Sequence, residues 1–109
     1  MSDNHFDLIN ALVARAKSED SSAMEELIDF YKPLIKASVR KCIYSDHNFI
    51  RFKDDLISLA NLEFIKLVHS YDVSRSFFSY YISNRLYANL LKSAKALITK
   101  TENDQPIEV

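Results

Sequence analysis

Residues 53–100, KDDLISLANLEFIKLVHSYDVSRSFFSYYISNRLYANLLKSAKALITK, decide the fold. They read as two helices joined by a short turn. In the first half Leu56, Leu59, Ala60, Leu67 and Val68 recur at three- and four-residue spacing, the mark of one helix face. After Ser74-Arg75-Ser76 a second face carries Phe78, Tyr81, Ile82, Leu86, Leu90, Ser93 and Leu97. Both faces need a partner to bury against, and the N-terminal half supplies it. Phe6, Leu8, Ile9, Leu12, Val13 and Ala16 mark a first helix ending near Lys17, with Asp3 or Asn4 as its cap. Ser22 with Glu25 is a capping-box pattern. It opens a long amphipathic face through Met24, Leu27, Ile28, Tyr31, Leu34, Ile35, Ser38, Val39 and Cys42. Pro33 falls inside that run and predicts a kink near Phe30, because the apolar register continues past it. Residues 45–52, SDHNFIRF, lose the period and read as a loop or short helical turn pinned by Phe49, Ile50 and Phe52. The expected fold is all-α: a compact bundle of about four helices over residues 1–100, then a flexible polar tail or linker, 101–109.

Composition bounds the function. In 109 residues, 48% hydrophobic and 27% charged with no Gly and two Pro, a packed helical core is feasible and tight turns are scarce. The longest apolar runs are too short to cross a bilayer, and MSDNHFD lacks the pattern of a secretory signal. A cytoplasmic location is expected. Cys42 is alone, and His5, His47 and His69 are scattered, so neither a disulfide nor a metal site is expected. His69 with Asp72 lacks a nucleophile at any familiar spacing. Asp54, Asp55 and Glu63 fit helix capping better than metal ligation. No catalytic residue, cofactor or enzyme activity is expected.

The net charge is −1, but its distribution is uneven. Residues 73–100 hold five basic side chains (Arg75, Arg85, Lys92, Lys95, Lys100) and no acid, whereas residues 1–72 hold nine basic and twelve acidic ones. A cationic segment on a mildly acidic body fits either a solvated helix face or a nucleic-acid surface. Phe78, Tyr80, Tyr81 and Tyr87 interleave rings with that charge. Tyr80, Asn84, Tyr87, Leu91 and Lys95 keep helical spacing on a face separate from the apolar stripe. Phe78 and Tyr81 fit the core better than a base contact.

The runs ELIDFYKPLIKASVRKC, DDLISLANLEFIKLVHSYDVSRS and FFSYYISNRLYANLLKSAK together resemble region 2 of bacterial sigma factors. The match spans about residues 8–95, and its most specific part is Asp55-Leu56-Ile57, Asn61, Tyr71-Asp72 and Ser74-Arg75. The opening is also similar to small alternative or extracytoplasmic-function-type factors and to sigma-like regulators of Firmicutes, phages and mobile elements. The resemblance implies a transcription initiation module. Asp55, Ser58, Leu59, Asn61 and Ile65 would meet the β′ clamp helices of core RNA polymerase. Arg75, Tyr80, Asn84, Arg85, Tyr87, Lys92 and Lys95 would engage the non-template strand of the −10 promoter element. Two positions depart from the family, Ser58 for its Gln and Leu59 for its Glu, and Asn84-Arg85 replace the paired tryptophans of primary factors. The recognition loop, residues 71–77, is short. Region 4 is absent from the sequence. The chain is then either the N-terminal domain of a longer factor or a free-standing region 2 protein with a separate region 4 partner; an anti-sigma factor is a further partner class. The alternative is a sigma-like helical adaptor that binds another regulator without melting DNA, a reading that the near-neutral charge and the missing Gln-Glu pair favour.

Overall fold

The computed structural model describes residues 2–72 and 77–104. They form five α-helices and one 3-10 helix: α1 (Ser2–Lys17), α2 (Ser21–Phe30), α3 (Lys32–Ser45), the 3-10 helix (His47–Phe52), α4 (Lys53–Ser70) and α5 (Phe78–Asp104). No strand occurs among the described residues. The all-α reading holds, with one helix more than expected.

The extra helix comes from Pro33. The long run predicted from Ser22 to Cys42 does not bend; it ends at Phe30, turns at Tyr31 and restarts at Lys32. Pro33 thereby falls in the first turn of α3, where its missing N–H would have no intrahelical partner and its ring meets no preceding turn. The apolar register survives because Leu27, Tyr31 and Ile35, spaced by four, are all buried across the joint.

The α1–α2 corner is also built differently from the capping box read at Ser22. Asp20 is the N-cap, its carboxylate accepting from the Ala23 N–H at 3.2 Å. Its other oxygen takes the Arg15 guanidinium at 2.9 Å. Glu19 before it adopts φ 69°, the left-handed conformation usually given to Gly; this chain has no Gly to place there. The Ala23 N–H and then Arg15 hold the Asp20 carboxyl below its ordinary value of 3.8. A depressed acid contributes stability that is complete above the unfolded value and lost as pH falls through the folded one. Asp20→Ala is expected to lower the thermal midpoint at neutral pH, with the deficit shrinking below pH 3.8. Asp20→Asn, which keeps an acceptor but not the charge, should fall between. Circular-dichroism melts over a pH series check both.

Helix α4 is the centre of the bundle and touches every other element. Its buried positions, Leu56, Ala60, Glu63, Phe64, Leu67 and Val68, make a face wider than a single stripe, as a helix covered on several sides requires. The buried Glu63 is satisfied within the bundle: the Ser93 hydroxyl of α5 donates to it at 2.8 Å and Lys66 reaches it at 3.4 Å. Phe78 opens α5 inside an aromatic cluster, with ring centroids 5.3 Å from Tyr31, 6.0 Å from Phe64 and 5.1 Å from Tyr71. The Tyr31 and Ser79 hydroxyls share a hydrogen bond of 2.5 Å beside it. Lys17 donates to the Tyr71 carbonyl, tying the end of α1 to the end of α4.

Phe49 of the 3-10 helix is buried and Phe52 half-buried, as expected, but Ile50 is 59% exposed and Leu8 of α1 62%. Cys42 is fully buried in the core, and burial pushes its thiol above the ordinary value. Helix α5 runs to Asp104, six residues past the end expected near Ile98.

Candidate nucleic-acid interface

Helix α5 docks on α3 and α4 through Phe78, Ile82, Leu86, Leu90 and Ala94, an unbroken four-residue repeat of buried side chains. The opposite face therefore points outward. Tyr80 is 70% exposed, and Asn84, Arg85, Lys92 and Lys95 are exposed with it. Tyr81 is half-buried, its ring under the Arg85 guanidinium at 4.9 Å. Tyr80, Tyr81, Asn84 and Arg85 line an open cleft of about 380 Å³. The Tyr80 ring, an amide and a guanidinium can stack on an unpaired base, read its edge and hold its phosphate, while the Tyr81 ring packs on Tyr71 at 5.0 Å and under Arg85. No acid lies on α5 between Phe78 and Lys100.

Tyr87 sits differently from its neighbours in the predicted set. It is half-buried against the core, and Lys41 of α3 lies over its ring at 4.6 Å. That contact carries the cationic surface from α5 onto α3, an element the sequence reading left out. Helix α3 bears Lys32, Lys36, Arg40 and Lys41, all exposed, and no acid. Its charge is hidden in the sum over residues 1–72, which also contain twelve acids. Helix α2 has the opposite sign, with Glu25, Glu26 and Asp29 exposed. Arg75 lies outside the described residues, as does most of the predicted recognition loop.

The predicted polymerase-binding residues of α4 do not all share one surface. Asp55 and Ser58 are exposed, and Leu62, one turn further on and 46% exposed, extends their stripe. Leu59 instead packs half-buried against the core. Asn61 is half-buried, and Ile65 lines a shallow cleft with Met24 and His69, where α4 passes the α1–α2 corner. Among the described residues no three His, Cys, Asp or Glu side chains come together as a metal site would need, and no helix is long and apolar enough to cross a membrane.

Comparison with known proteins gives one family. Residues 10–72 match the model described as a helix-turn-helix domain, a span of 63 of the 109 residues. No curated protein and no solved structure matches the chain. The matched span runs from the middle of α1 to the end of α4 and stops before α5. It includes the α1–α2 corner, a three-residue turn with a left-handed residue at its centre, as well as the α2–α3 joint. The motif is a DNA-binding one, and the chain belongs to the helix-turn-helix domain family.

Proposed function

We propose that this domain binds promoter DNA as a transcription initiation module of the sigma region 2 kind, with α5 on the DNA and α4 on core RNA polymerase. The observation that carries the DNA half is the cleft of Tyr80, Tyr81, Asn84 and Arg85, flanked along α5 by Lys92 and Lys95 and across the seam by Lys41. What supports it is the grouping: Tyr80, 70% exposed, stands beside Asn84 and Arg85 in a run of α5 without acids. The polymerase half rests on the resemblance and on the exposed stripe Asp55, Ser58 and Leu62.

Fluorescence anisotropy tests the DNA half with three probes: a single-stranded −10-type oligonucleotide, its scrambled form and the duplex. The proposal expects tightest binding to the unscrambled single strand. A pull-down tests the other half. Core polymerase is expected to be retained by the native domain and lost with Asp55→Arg, a change at an exposed position whose effect on the fold a thermal melt reads separately. If the native domain retains no polymerase, the initiation role fails even where DNA binds, and the adaptor reading takes its place.

A second reading has its own support. The family match ends at residue 72, before α5, and within that span α3 is the helix whose exposed face is basic. On that reading the domain binds duplex DNA through α3, and the duplex is the best of the three probes.

A further inference from the structure

A second surface lies on the flank of α3 away from α5. There α3, the 3-10 helix and the start of α4 enclose an open groove of about 600 Å³. Its floor is apolar, formed by Val39, Ile43, Tyr44, Ile50 and Ile57. Three of these are unusually bare for large apolar side chains: Tyr44 is 79% exposed, Ile50 59% and Ile57 39%. Lys36, Arg40 and Lys53 stand at its rim, and no acid lines it. The predicted role of Ile50, pinning a loop to the core, does not account for its placement; Phe49 does that work and Ile50 faces out.

We propose that this groove receives an acidic amphipathic segment of a partner protein, its apolar side chains on the isoleucine floor and its carboxylates on the three cations. The aliphatic part of the floor disfavours nucleic acid, which could stack a base on Tyr44 but has nothing to bury on Ile43, Ile50 and Ile57. The all-cationic rim selects against a neutral or basic helix, which would leave Lys36, Arg40 and Lys53 unmatched. An amphipathic helix satisfies both through apolar anchors at three- and four-residue spacing, with acids on either side. The groove is separate from the α5 and α4 faces of the leading reading, and shares Lys36 and Arg40 with the α3 face of the second. Lys53 and Ile57 share one flank of α4; Asp55 lies about half a turn around it and Ser58 about a third of a turn. Lys41 and α5 lie on the other side of α3.

The test uses the whole domain and a fluorescein-labelled 16-residue peptide with Leu and Phe at helical spacing between Glu residues. Its control is a peptide of identical composition with the apolar order scrambled. Saturable binding is expected for the first peptide, about tenfold weaker for the second. Ile50→Asp, at an exposed position, and Arg40→Glu are each expected to weaken binding by about tenfold or more. Arg85→Glu on α5 should leave it unchanged. Equal binding of the scrambled peptide would overturn the proposal, because charge alone would then suffice. It would also fall if the −10-type oligonucleotide displaced the peptide while Arg40→Glu weakened the oligonucleotide as much as Arg85→Glu does; the groove would then be a DNA surface. Loss of oligonucleotide binding with peptide binding intact would sink the proposed function and leave this inference standing.

Discussion

Phe78→Ala is expected to cost about 3–5 kcal/mol of folding stability, the range for a buried Phe truncated in a core that cannot collapse around the gap. Phe78 is 1% exposed and contacts Tyr31 of the α2–α3 joint, Phe64 of α4 and Tyr71 just beyond it. All three pairs cross edge-to-face, at 73° with Tyr31, 87° with Phe64 and 77° with Tyr71, and such contacts add roughly 0.5–1.5 kcal/mol each beyond the buried area. A domain of this size has about 5–15 kcal/mol in total, so the truncated protein keeps little reserve. Phe78→Leu should be milder, since it keeps most of the volume. Urea titrations followed by circular dichroism measure both. A functional consequence accompanies the loss. Phe78 is the first residue of α5, two positions before Tyr80, so the same substitution loosens the end of the helix that carries the cleft. Oligonucleotide binding should therefore fall even at temperatures where Phe78→Leu remains folded and binds normally.

The helical character of the chain and the faces of α4 and α5 were legible because burial repeats at the helical period. Leu56, Ala60, Leu67 and Val68, and Phe78, Ile82, Leu86 and Leu90, are all buried as their spacing requires. Phe64, four residues after Ala60, is fully buried at the middle of α4 on the same face. Pro33 is ambiguous in the sequence for a definite reason. A proline preceded by one residue of turn and a proline inside a kinked helix leave the same apolar spacing on both sides. Only the carbonyl positions tell them apart, and those are not written in the side-chain pattern. The corner at Asp20 was missed because Ser22 and Glu25 satisfy the capping-box spelling. The backbone reaches helical geometry earlier, once Glu19 has turned left-handed.

The candidate interface was only half legible. Of the face read from spacing, Tyr80, Asn84 and Lys95 are exposed, whereas Tyr87 and Leu91 pack half-buried against the core; Arg85 and Lys92, singled out by charge, are exposed. The contribution of α3 could not, since it depends on α3 packing beside α5 and bringing Lys41 over Tyr87. The groove on the other flank of α3 was likewise hidden. It joins Lys36 and Arg40 to Ile50 and Ile57 across two changes of direction in the chain, and no local pattern links them.

Arg85→Glu combined with Lys92→Glu is expected to weaken binding of the single-stranded oligonucleotide by about 30- to 1,000-fold at low salt, the equivalent of roughly 2–4 kcal/mol for two reversed phosphate contacts. Both side chains are exposed on α5, so the fold should tolerate the change, and an unaltered thermal midpoint would show it. The salt dependence separates charge from stacking. Each phosphate held by the native protein contributes a slope of about −0.7 in log K against log salt for a single strand. The double reversal should flatten that slope by about 1.4 or more. Tyr80→Ala should instead lose roughly 1–3 kcal/mol of base stacking and leave the slope where it was. Lys41→Glu is the informative third variant, because it reverses charge at the seam and also removes the cation over Tyr87. If α5 is the DNA-facing helix, Lys41→Glu should flatten the slope less than the double reversal, and Arg40→Glu on the far flank should leave it unchanged. The opposite ranking, with Arg40→Glu dominant and Tyr80→Ala silent, would move the interface onto α3 and exclude α5 from DNA recognition.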